Sequence, residues 1–236
     1  MDYVTISKFN FEGDAMGQDI KQEDIILWPP RGERISQLQY RDLQGYATDN
    51  GILLSNFKKA DVDVNLIKEV IDDAAKVLGQ FPELRGTRRK RFTLHLTTMD
   101  SNDFAEVRHR STHILHLNQD AYRSKESLAR EYASLSGEGW FVRGTDYHSI
   151  PYHEIGHMFS NMHNIDGFEL SKDALGLSKW TDIAELLETT LSQYSVSYDS
   201  GIEILPEVFS SYFSATSNKS EIILKLFNKA NTIRRG

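Results

Sequence analysis

Residues 153–157 read His-Glu-Ile-Gly-His, and this short block constrains the chain more than any other feature. Two histidines at i and i+4 share one face of an α-helix, one turn apart, so both imidazoles can reach a single metal ion at about 2.0–2.1 Å. With His153 at zero and about 100° per residue, His157 falls near 40°. Ile155, Met158, Phe159 and Met162 then lie between roughly 140° and 240°. The spacing predicts a helix over about 150–163, with an apolar back and a ligand-bearing front. Pro151 suits its first turn. The competing possibility is an amphipathic helix with two solvent-facing histidines, which requires neither Glu154 nor a third ligand.

The chain has no cysteine, so a metal must be held by His, Asp, Glu, Tyr or water. A zinc ion (Zn2+) with three protein ligands keeps a fourth position for water, and Glu154 lies close enough to take that water's proton. This is the division of labour of metal-assisted amide hydrolysis. Two residues are candidates for the third ligand. Glu207 follows Pro206, which suits a first helical turn, and shares a side with Ser210 and Ser211. Val208, Phe209, Tyr212 and Phe213 fall between roughly 100° and 240° from it, so this helix also has an apolar back. An acidic residue in a first turn also favours the helix dipole without any metal. The second candidate is His163, which stands where metzincin-type peptidases place a third histidine. That pattern has glycine where this chain has Ser160, and a later methionine turn, whereas no methionine follows Met162. Tyr194, Tyr198 and His148 are secondary candidates for stabilising an oxyanion. His95, His113 and His116 lie on expected strands, where packing or surface roles are the simpler account.

With 236 residues the chain suffices for one large domain, or a domain with an N-terminal extension. Residues 1–60 carry the least pattern and are expected to form an arm or small subdomain, with the main domain over 61–236. Leu66, Ile67, Val70, Ile71, Ala74, Val77 and Leu78 recur at helical spacing, with Asp63 as N-cap and Gly79 as stop. Alternation over 91–97 and 112–118 predicts two half-buried strands, the second able to offer its edge to an extended peptide. Ser124 opens a helix through Leu128, Tyr132 and Leu135 to Gly137. A glycine-rich loop or short edge strand follows to Asp146, and helices are expected over about 150–163, 181–195, 206–215 and 220–230. Strands first and helices after give an α+β class.

A formal charge of −7 gives no global pull toward nucleic acid or an anionic membrane, and neither is an expected partner. The basic run Arg85 to Arg91 reads as a solvated connection beside a strand. The first residues show no basic segment followed by an apolar one, and no stretch approaches the roughly 20 apolar residues of a membrane span. A cytoplasmic origin is the expectation, with virion association compatible.

The block GWFVRGTDYHSIPYHEIGHMFSN (139–161) resembles the zinc-motif region of metallopeptidase domains in phage minor head, or head morphogenesis, proteins. There a Gly-Trp/Phe segment and a turn containing Gly-Thr or Gly-Cys precede a His-Glu-x-Gly-His helix. FPELRG (81–86) fits the same family, and residues 206–213 resemble a downstream Glu-x-x-Ala-Glu-Ala-x helix also seen in anthrax-lethal-factor-like peptidases. The resemblance covers about residues 60–220. It implies a zincin-like fold: a small mixed or antiparallel sheet, then the zinc-motif helix and C-terminal helices. It implies His153, His157 and Glu207 as zinc ligands, Glu154 as general base, a peptide or protein substrate, and phage head or other virion proteins as partners. It also admits a head-assembly component whose zinc site is structural or vestigial. The chain departs from the family pattern at Ser211, where an acidic residue often stands four positions after the ligand glutamate, and at Ser160, where aspartate is common.

Overall fold

A computed structural model describes residues 3–5, 32–99, 103–108, 110–197 and 201–235. In chain order they form β1 (Tyr3–Thr5), α1 (Gln37–Asp49), β2 (Leu53–Ser55), α2 (Val64–Gln80), β3 (Thr93–Thr97), β4 (Ala105–Arg108) and β5 (Ile114–Asn118). The helices α3 (Lys125–Gly137), α4 (Ser149–His163), α5 (Gly167–Leu175), α6 (Trp180–Thr190), α7 (Ile204–Phe213) and α8 (Glu221–Arg235) follow. The class is α+β.

The strands form one mixed sheet in the order β1-β4-β5-β3-β2. β2, β3 and β5 run parallel, with Leu54 opposite Leu94 and Leu94 opposite Leu115, while β4 runs antiparallel to β5 and to β1. The expectation that residues 112–118 present a free edge is corrected here: β5 is paired on both sides, by β3 and β4. Residues 37–60 supply α1 and β2, and β2 connects through α2 to its parallel neighbour β3. Trp28 to Arg31 lie outside the described residues.

Local chemistry accounts for the helix boundaries. The Asp63 carboxylate accepts from the backbone N–H groups of Asn65 and Leu66, which would otherwise lack partners, and α2 runs on past Gly79 to Gln80. All seven apolar positions expected on this helix are buried. Removing the cap with Asp63→Ala is expected to cost about 1 kcal/mol, read as a lower midpoint in urea unfolding. Ser124 likewise caps α3 through the Ser127 N–H. The 137–146 stretch is a loop rather than a strand, and it is tied down where α4 begins. There the Tyr132 hydroxyl bonds both Ser149 Oγ and Thr145 Oγ1. Helix α5 had no counterpart in the sequence analysis.

The core between α2, α4, α7 and α8 is aromatic. Phe81, just past α2, meets Phe159 of α4 at a ring-centroid distance of 4.9 Å and Phe209 of α7 at 5.5 Å. Phe227 of α8 completes the cluster at 6.0 Å from Phe81. Burying each such ring is worth roughly 2–3 kcal/mol, which clamps α7 against α4. Among the described residues no helix is long and apolar enough to cross a membrane.

Candidate metal centre

Helix α4 is buried along most of its length, from Ser149 through Phe159, so His153 and His157 do not face solvent. The relative exposures of His153, Glu154 and His157 are 1%, 0% and 4%. That argues against the solvent-facing alternative, because buried imidazoles need partners.

The partners come from α7. Glu203, in the residue that opens this helix, places Oε2 at 3.1 Å from His153 Nε2 and 3.2 Å from His157 Nε2. The two Nε2 atoms are 3.1 Å apart. Among the described residues His153, His157 and Glu203 are the one group of three or more ligating side chains placed to hold a metal ion. Their three near-equal separations suit such an ion: two ligand atoms about 2.0–2.1 Å from one tetrahedral centre lie about 3.3 Å from each other.

Glu207 lies elsewhere. Its Oε1 sits 2.7 Å from His153 Nδ1, on the far side of the ring, and its Oε2 accepts from Ser192 Oγ at 2.5 Å. Glu207 therefore sits behind His153, where it orients the ring and aims Nε2 toward Glu203. The structure thus brings Glu203, not the expected Glu207, to the Nε2 atoms. The reason is position along the helix axis, since the two glutamates share a face. Glu203 and Glu207 stand one turn apart on α7, as His153 and His157 do on α4, and the turn nearer the start of α7 faces the histidines. Placing the helix start at Pro206 left Glu203 outside it. The signal was present in Glu203-Ile-Leu-Pro-Glu207, a Glu-x-x-x-Glu spacing.

With Nδ1 held by Glu207, His153 turns its Nε2 toward a carboxylate oxygen and a second imidazole. Neither oxygen of Glu203 has a partner in hydrogen-bond geometry among the described residues, and both are buried. Two imidazole nitrogens and a carboxylate oxygen converging on one buried point favour a positive charge between them. The electrostatics agree. Burial alone would push His153 down, yet Glu203 and Glu207 together raise it to about 10, so the position favours positive charge. Burial would raise Glu203, but His157 and His153 outweigh that and hold it at about 2. Burial dominates at His157 and lowers its pKa.

Glu154 projects toward the sheet side, where α4 packs on β4. Both its oxygens are buried without a hydrogen-bond partner among the described residues. Burial raises its pKa to about 8; His153 and the Val107 backbone N–H act the other way, and the charges of Glu203 and Glu106 add to the rise. It stands as an unsolvated base beside the histidine pair.

Gly156 makes the α4–α7 approach possible. A Cβ at this position would lie 2.7 Å from Pro206 Cα and 3.2 Å from Phe209 Cβ. A second backbone contact steadies the start of α7: a Cβ on Gly167 would meet Gly201 O at 2.0 Å. Glycines at 156 and 167 thus let Glu203 reach the histidines.

The other candidates sit apart. Helix α4 continues through Ser160 and ends at Asn164, which adopts φ 51°, so His163 stays on the helix. Six residues beyond His157 it points about 240° away, and it approaches Glu83 at 3.7 Å instead. His148 bonds Asp73 of α2 at 2.7 Å and anchors the start of α4. Tyr194 is buried with its ring 5.7 Å from that of His153, while Tyr198 lies outside the described residues. His95 and His116 are strand neighbours with rings 4.9 Å apart, and His95 is held by Ser55 and Asn56. No protein-family model matches the chain, and no curated protein or solved structure matches it.

Proposed function

We propose that the chain is a zinc-dependent peptidase of zincin type, in which His153, His157 and Glu203 hold the ion and Glu154 is the general base. The observation that carries this is the convergence of two buried Nε2 atoms and one buried carboxylate oxygen, beside a buried carboxylate with no side-chain hydrogen-bond partner among the described residues. Two nitrogens and one oxygen without any thiolate make a borderline-hard donor set, which suits zinc. Zinc in such a set supplies Lewis acidity to a scissile carbonyl and to the attacking water.

The chain's own residues do the rest. Glu207, steadied by Ser192, holds the His153 ring in one tautomer and orientation. Glu154 accepts the water's proton as attack proceeds and returns it to the departing amine, which restores the carboxylate for the next cycle. Its raised affinity for protons suits both halves of that task, and a nearby cation draws it back toward the charged form at neutral pH. The resemblance to phage head-morphogenesis metallopeptidase domains supports the peptidase reading, with Glu203 taking the place of the Glu207 it implies as third ligand. It makes virion proteins the first substrates and partners to try.

Burial favours one further possibility. The ligating side chains of His153, His157 and Glu203 are only 1–5% exposed, and a closed site is the mark of a structural ion. A head-assembly component held together by its metal would look the same at this level. Glu154→Gln separates the two. The substitution is isosteric, so zinc content by elemental mass spectrometry should stay near one per chain. Hydrolysis of a mixture of unstructured peptides should fall by about 100-fold or more. Undiminished cleavage by the variant would remove Glu154 from the mechanism. No cleavage by either protein, together with a Tm that drops on chelation, would favour the structural ion.

A further inference from the structure

The basic run that looked like a solvated connection folds into a closed hairpin. Gly86 and Arg91 form an antiparallel bridge, the Thr87 N–H donates to Lys90 O at 2.9 Å, and the Lys90 N–H donates to Thr87 O at 3.1 Å. Gly86 has φ 78°, and a Cβ there would lie 1.8 Å from Lys90 O, so closure requires glycine. The base is anchored as well. The Phe92 N–H donates to Arg85 O at 3.0 Å, and the Arg85 guanidinium turns inward to Asn50 O and Leu78 O at 2.9 and 3.3 Å.

Four cations remain at the tip. Arg88, Arg89, Lys90 and Arg91 are exposed, and among the described residues none of their side chains has an acidic partner. The Thr93 N–H donates to His113 O at 2.8 Å, which sets the base of the hairpin beside the segment that carries Arg110. Exposed Arg110 is likewise unpaired. In a chain of net charge −7, these consecutive cations on a rigid support form a local positive field on an otherwise acidic molecule.

We propose that this hairpin is a docking surface for the phosphate backbone of a nucleic acid, bound without regard to sequence. Three guanidinium forks suit bidentate contact with phosphate oxygens. The tip, Thr87 to Arg91, carries no apolar side chain to enter a bilayer and no aromatic ring on which a base could stack. Contacts of this kind position a partner and read no bases. Repulsion from the acidic remainder is screened beyond about 10 Å at 0.1 M salt, so the local field governs. The surface stands independently of the metal centre.

The test is fluorescence anisotropy of a labelled duplex of about 20 base pairs, titrated with the full chain between about 50 and 200 mM salt. Four phosphate contacts give a slope of log K against log salt of about −3 to −4. The charge-neutral variant carrying Arg88→Gln, Arg89→Gln, Lys90→Gln and Arg91→Gln should bind about tenfold or more weakly at the lowest salt, with that slope largely lost. Its melting temperature should match the wild type, because the exchanged side chains are exposed. Absence of duplex binding at the lowest salt would overturn the proposal. So would equal binding by the variant, or preference of the wild type for phosphatidylserine vesicles or polyglutamate over the duplex.

Discussion

Glu203→Ala is expected to abolish stoichiometric zinc binding, while Glu207→Ala should leave a weakened site that fills at high zinc. Glu203 contributes the oxygen that closes the triangle with both Nε2 atoms, at 3.1 and 3.2 Å. Without it two histidines remain, and two neutral ligands in a dry pocket do not replace the hydration shell of a divalent ion. Glu207 acts one atom layer back, through His153 Nδ1 at 2.7 Å. Losing a carboxylate in that position costs about 10- to 100-fold in metal affinity, because the imidazole loses its fixed tautomer and part of its basicity. Zinc per chain by elemental mass spectrometry, with competition against a chelator of known affinity, measures both. The reverse ranking, with zinc lost from Glu207→Ala and retained by Glu203→Ala, would place the third ligand at Glu207. If neither the wild type nor any variant takes up zinc after reconstitution, the metal centre itself is excluded.

The second large effect belongs to Gly156→Ala, which should destabilise the protein and loosen the metal together. In an exposed helix the exchange of glycine for alanine stabilises by about 1 kcal/mol. Gly45 of α1 is such a site: a Cβ there meets nothing within 4 Å, so Gly45→Ala should raise the Tm. At Gly156 the same methyl group would press on Pro206 Cα at 2.7 Å and Phe209 Cβ at 3.2 Å. Backbone cannot yield as a flexible side chain can, so α7 must retreat. Overpacking of this kind costs about 1–3 kcal/mol or more, which exceeds the propensity gain. Because α7 carries both glutamates, its retreat should also lower zinc affinity by about tenfold, as a ligand moves away from the other two. Urea unfolding and zinc competition on the two glycine variants provide the check. A Gly156→Ala protein as stable and as tight for zinc as the wild type would show that α7 does not need this close approach.

Much of this architecture was legible as periodicity. The run Leu66 to Leu78 forecast α2, with Asp63 at its cap, because a helix needs a repeating apolar stripe and a partner for its first N–H groups, and both are local. The strands around Leu94 and Leu115 were visible for a similar reason. Shorter elements were not. β2 is three residues long, β4 four and α5 nine, and segments that short leave too little pattern to separate from loop. Nor does periodicity say which strand pairs with which, so β5 looked like an available edge when it is interior.

The candidate site divides along the same line. His153, Glu154, Ile155, Gly156 and His157 lie on one helix, so their relative directions follow from about 100° per residue and were readable without any tertiary contact. The third group comes from a helix some fifty residues on, and its choice depends on where α7 starts and which of its turns faces α4. The bare side of Gly156 and the aromatic cluster around Phe81 set that contact. A helical repeat constrains angle about an axis but not position along a neighbour. Only tertiary packing could put Glu203 against the two Nε2 atoms and Glu207 behind His153.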